Sequence, residues 1–147
     1  MLEKFFSTEP NFILTVARVT LGLVMIPHGF QKLFGWLGGY GWSATLGFFS
    51  SQGIPVILGI LVILAESFGA LGLILGLFTK LSAFGIGLTM LGAAIFQRQN
   101  GFFMNWFGSQ SGEGIEYHIL AMGLAFVLLI AGGGAFSLDW LISQKLK

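Results

Sequence analysis

The chain is predicted to be an all-α integral membrane protein, a four-helix bundle, on three observations. Over 147 residues it is 55% hydrophobic with a mean hydropathy of +0.88, more apolar surface than a soluble domain of this length can bury. Only 9% of its residues are charged. Four apolar segments, at about 12–34, 55–78, 80–97 and 115–134, match the ~20 residues that cross a bilayer as a helix. Residues 1–147 thus form a single membrane domain. A net charge of +1 leaves no footprint for nucleic acid. The absence of cysteine excludes disulfides, thiolate metal sites and Cys-ligated iron–sulfur clusters.

Each element has a local reason. The opening MLEKFFSTEPNF lacks the basic region and small-residue cleavage site of a signal peptide, so the first apolar segment reads as a retained span. Pro10 and Asn11 precede that span, and Pro55 opens the second, where a missing N–H does little harm. The second and third are joined only by residues 77–81, which forces an antiparallel hairpin. Gly72 and Gly76 on one side, with Ala83 and Gly87 on the other, offer small-residue seams for close helix approach in lipid. After Gly132–Gly134, Ser137 is placed to cap a short C-terminal helix. Asp139 suits its positive dipole end, and Lys145 and Lys147 the other.

Four spans put both termini on one side. Lys4, Lys80, Lys145 and Lys147 then share a face against Lys32 and Arg98, and the positive-inside rule makes that face cytoplasmic. The two outer loops, 35–54 and 98–114, are rich in aromatics, including Trp36, Tyr40, Trp42, Phe102, Phe103, Trp106 and Phe107. They read as an aromatic belt with short interfacial helices, or more sharply as a lid or docking surface.

An ionised group at membrane depth is costly and usually pairs, binds or conducts something. Arg18 and Glu66 each lie inside a span. At the helical rise, Arg18 to Lys32 is roughly 21 Å and Pro55 to Glu66 roughly 17 Å, so the two charges are expected level with one another and paired as an intramembrane ion pair. Above them, His28, Lys32, Gln97, Arg98 and Glu116 converge at the outer ends of the first, third and fourth spans as a candidate ligand-binding funnel. His28 and His118 on different helices also permit a bis-His haem reading, but both are shallow. No haem, metal or other intrinsic cofactor is expected. The scattered methionines read as packing, and no phosphate cradle or catalytic triad is found.

These residues together resemble the DoxX family of small four-span membrane proteins. The matching pieces are Ala17-Arg18, then His28-Gly29-Phe30-Gln31-Lys32-Leu33-Phe34-Gly35, Gly53-Ile54-Pro55, and Glu66 with Gly69 and Gly72. Gly76-Leu77-Phe78-Thr79-Lys80, Glu116-Tyr117 and Gly132 through Ser137-Leu138-Asp139 complete the pattern, over about residues 10–140. The resemblance implies a bacterial inner-membrane subunit of a redox-associated complex, contacting quinone in connection with thiosulfate or sulfur oxidation or with oxidative-stress defence. Such a subunit is at most part of a quinone-linked oxidoreductase and not catalytic alone, because the chain has no electron donor of its own; membrane or periplasmic subunits are its implied partners. The alternative is a structural or assembly subunit with no ligand. His118 lies outside the matched pattern and carries no family role.

Overall fold

The structure, a computed structural model, describes residues 5–146; Lys4 and Lys147, counted above for orientation, lie outside them. The described residues are helical with no strand. α1 is Phe12–Phe34, α2 Gly41–Ser51, α3 Val56–Leu75, α4 Thr79–Gln97, α5 Glu116–Ala131 and α6 Leu138–Lys145. α1, α3 and α4, the last extended to Asn100 by a 3₁₀ turn, are long and apolar enough to cross a membrane; α5, with 16 residues, is shorter. Large side chains such as Leu58, Leu61, Phe68, Leu88, Phe126 and Ile130 project outward from these helices, as lipid-facing surfaces do.

The predicted boundaries agree within a few residues. Asn11 caps α1 by accepting the Ile13 N–H at 2.8 Å, and Gly35 ends it in the left-handed region at φ 75°. That conformation is cheap only for glycine. Ser137 caps α6 by accepting the Trp140 N–H at 3.1 Å. The aromatic loop 35–54 contains a true helix, α2, whereas residues 101–115 form an irregular loop without one.

The helix seams differ from expectation. The tightest approach is between α1 and α3: a Cβ added at Gly29 would overlap the Glu66 backbone, and one at Gly22 would lie 2.9 Å from the Ala70 carbonyl. Gly72 does face Ser82 of α4. Gly76 instead ends α3 in the left-handed region and packs against Ser137 and Arg18, while Gly87 faces Ala125 of α5. α4 therefore packs along α5 as well as against the middle of α3. The buried core, including Leu21, Met25, Leu73, Ile86, Met90 and Leu128, fills the space among α1, α3, α4 and α5.

Two helices lose regularity at the same level. Pro27 lies inside α1, where it cannot donate to the carbonyl one turn earlier. Residues Ala65–Gly69 of α3 form a π-helical turn carrying Glu66 and Ser67. Such single turns widen the helix locally and are frequent at functional sites.

The expected Arg18–Glu66 pair is not formed. Glu66 stands opposite Gly29, so Arg18 lies 11 residues away along α1, about 16 Å at the helical rise. The count from Pro55 failed because α3 runs past the end of α1. Its Gly59 serves as the seat for Leu46 and Phe49 of α2, which folds back over it. Arg18 instead satisfies backbone carbonyls. Its Nε donates to Gly133 at 2.8 Å, Nη1 to Leu73 and Ile74 at 2.8 and 2.6 Å, and Nη2 to Phe136 at 2.6 Å. The Leu73 and Ile74 acceptors lie in the last turn of α3, where carbonyls run out of helical donors; Leu73 also accepts the Gly76 N–H at 3.2 Å. Asp139 completes this knot, but not as anticipated: its carboxylate accepts the N–H groups of Phe78 and Thr79 at 2.8 Å each, capping α4 rather than its own helix.

Arg18→Gln should therefore lower stability in detergent by roughly 3 kcal/mol or more, since several buried carbonyls lose a charged donor at once. Combined with Glu66→Gln, the two losses should add within about 0.5 kcal/mol in a double-mutant cycle of thermal unfolding; a larger coupling would mean that the two side chains interact after all.

Candidate functional site

Glu66 is buried on the π-turn, and its partner comes from α1. Lys32 Nζ lies 2.5 Å from Glu66 Oε2; the two side chains are 25% and 5% exposed. This pairing follows from the Gly29 contact, because Lys32 is three residues further along α1 and its stem leads back along the helix toward Glu66. The same ammonium reaches the His28 carbonyl at 3.4 Å. A carboxylate at this depth needs a cation, and a lysine with a flexible four-carbon stem supplies one from nearer the helix end.

Lys32 also borders a cavity of about 280 Å³, lined by Gln31, Gly38, Gly39, Tyr40, Thr45, Phe48 and Phe49. It lies between the end of α1, the 35–40 turn and the inner face of α2. Its walls are aromatic, and its polar groups come from Lys32, Thr45 and Gln31, the last of which donates to the Leu37 carbonyl at 3.1 Å. An apolar slot with a cation at its edge suits a flat ligand carrying a hydrogen-bond acceptor.

The predicted funnel is only partly assembled. His28 and Lys32 do stand together, the Lys32 ammonium reaching both the His28 carbonyl and the Glu66 carboxylate. Among the described residues, Gln97 is half-buried with no side-chain hydrogen bond and Arg98 is exposed with no ion-pair partner. Glu116 turns away from Lys32: its Oε1 accepts the Met104 N–H at 2.9 Å and the Trp106 indole N–H at 3.1 Å. It is the organiser of loop 101–115, assisted by Glu113, whose Oε2 accepts the Asn105 N–H at 2.9 Å. The loop's own backbone donors claim Glu116 because they are neighbours in sequence, leaving none of its charge for the α1 cations.

In its place α5 contributes Tyr117 and His118. The Tyr117 hydroxyl lies 3.3 Å from Met25 Sδ, and its ring centroid is 6.2 Å from that of His28 and 5.6 Å from that of His118. His118 is buried, and its Nδ1 has no hydrogen-bond partner of good geometry. Sequence reasoning placed neither Tyr117 nor Thr45 in the site, although Tyr117 stood in the matched pattern and loop 35–54 was read as an aromatic lid or docking surface. A further signal was the seven-residue spacing of Gly22 and Gly29, which marks the α1 face that meets α3 and so fixes what stands opposite Lys32.

Lys32→Ala strands a buried carboxylate and should cost roughly 3–5 kcal/mol. The double variant Lys32→Ala with Glu66→Gln should recover much of that loss in detergent melting; no recovery would mean that Lys32 acts by packing alone. Glu116→Gln should leave the helices intact but loosen residues 101–115, seen as faster proteolytic cleavage within that loop.

The comparisons fit this architecture. The DoxX family model matches residues 13–99, which include α1, α2, α3, α4 and thus both Lys32 and Glu66. The chain is 31% identical to "Inner membrane protein YqjF" of Escherichia coli (strain K12), covering 88% of this chain and 92% of that one. It is 29% identical to "Inner membrane protein YphA" of the same organism, covering 91% and 93%. No solved structure matches. With a family model covering more than half of its length and a relative alignable almost end to end, the chain belongs to the DoxX family of membrane proteins.

Proposed function

We propose that this protein is an inner-membrane subunit of a redox-associated complex, and that the cavity beside Lys32 takes a quinone headgroup. The observation that carries this reading is the Lys32–Glu66 pair placed at the edge of an aromatic-walled slot. A quinone carbonyl needs a donor next to an apolar wall, and Lys32 offers its ammonium while Tyr40, Phe48 and Phe49 offer the wall. The names of the two relatives support the inner membrane as its location. The protein supplies binding and positioning. Electron transfer belongs to a partner subunit, consistent with a chain that has no cysteine.

The same proposal includes four spans with cytoplasmic termini. α5 completes the crossing, helped by the residues that flank its 16-residue helix. Lys80 and Lys145 then share the cytoplasmic face, with Lys32 and Arg98 on the other. The cysteine-free sequence makes this directly measurable: Ser109→Cys should react with an impermeant maleimide added to intact cells, and Gln144→Cys only after lysis. The reverse pattern would invert the orientation, and equal labelling of both would remove the fourth crossing.

A quinone analogue titrated into purified protein should bind, and Lys32→Ala should weaken it at least tenfold, about 1.4 kcal/mol. A second reading, a docking subunit without ligand, is favoured by the aromatic loop. Glu116 holds Trp106 in place, and the neighbouring Phe107 is 94% exposed. In that case Lys32→Ala leaves analogue titrations unchanged, while Trp106→Ala removes co-purifying subunits in mild detergent.

A further inference from the structure

Arg18 and Glu66, the two ionisable groups expected to share one role, occupy opposite kinds of environment. Arg18 is sealed: its three nitrogens are taken by four carbonyls, two near the end of α3 and two in the segment after α5, and the side chain is buried. Glu66 has one partner. Only Lys32 reaches Oε2, no donor among the described residues reaches Oε1, and that second oxygen is not fully enclosed. The other sides of Glu66 supply no competing charge. α2 contains no ionisable residue, α4 offers Ser82 and Ile86 at this level, and α5 offers Tyr117. From α1 come Lys32 and His28, the latter exposed. The residue rides on the π-turn, opposite the Pro27 region of α1, near the middle of α3 and about 15 Å from either helix end.

We infer that Glu66 is a proton-exchange site at mid-span, reached from the Lys32 end of the bundle past His28. In the resting state the carboxylate is paired with the Lys32 ammonium. A proton arriving from that end adds to the free Oε1, giving a neutral carboxylic acid. The released ammonium is already one quarter exposed and borders the cavity, so it turns toward that space without being buried unpaired. Departure of the proton restores the pair. Glu66 carries this proton with or without a quinone in the cavity.

The test is infrared difference spectroscopy of the full chain in lipid, titrated from alkaline to acid pH. A protonated-carboxyl band should grow in as pH falls and be absent in Glu66→Gln. Removing Lys32 takes away the ammonium in contact with the carboxyl group, so in Lys32→Met the band should move in frequency. Lys32→Arg keeps the charge and should shift it far less, which covers the case in which Lys32→Met does not fold. Deuteration of the band should slow in His28→Ala and not in Lys145→Ala. A band insensitive to pH, one that survives Glu66→Gln, or one unmoved by Lys32→Met overturns the site. Deuteration slowed by Lys145→Ala and not by His28→Ala overturns the route.

Discussion

Where α1 crosses α3, the Gly29 backbone lies directly on that of Glu66, and no side chain larger than hydrogen fits between them. In lipid, helices associate through close packing and buried polar contacts rather than through hydrophobic burial, so this backbone contact sets the register for everything around it. It carries Lys32 to Glu66 and Arg18 to the end of α3 near Gly76. One residue of slip on either helix would rotate the ammonium away from its carboxylate by about 100°. Arg18 and Glu66 are thus placed by the same contact.

The molecule separates its polar chemistry by end. At the Arg18 end, Arg18, Asp139 and Ser137 together with Gly132–Gly134 fasten the close of α3, the start of α4 and the chain after α5 into one hydrogen-bonded knot. The N-terminal segment joins it: Thr8 donates to the Ala131 carbonyl and accepts from the Gly134 N–H, and Thr15 bonds the Ala135 carbonyl. Each of these groups completes another's backbone, which is how non-helical chain is tolerated beside a membrane. The Lys32 end is built differently. Among the described residues it has the Lys32–Glu66 ion pair, a cavity, the π-turn of α3 and Pro27 within α1.

Family membership and mechanism stand on different footing. The matched region, residues 13–99, contains both members of the ion pair but stops before Tyr117, His118 and the loop that Glu116 organises. The site therefore joins a part that the family model covers to a part contributed by α5. Loop 101–115 is fixed by its own carboxylates, Glu113 and Glu116, rather than by α1 or α3.

The sequence by itself determined the helical class, the start of α1 just after Asn11, the cap at Ser137 and the presence of Arg18 and Glu66 inside apolar helices. Three of the four spans counted along it are membrane-length helices. All of these depend on local composition or on neighbours a few residues away. It also brought His28 and Lys32 together, since they lie one turn apart on α1. Tertiary structure alone decided which charge meets which. Relative helix register depends on how far α3 extends past α1, and that is set by α2 seating on Gly59 and by the Gly29 contact, neither of which is visible in a count along the chain. For the same reason Glu116, level with the α1 cations by counting, was diverted to the N–H groups of its own loop, and Tyr117 came to pack beside Met25 and His28 of α1.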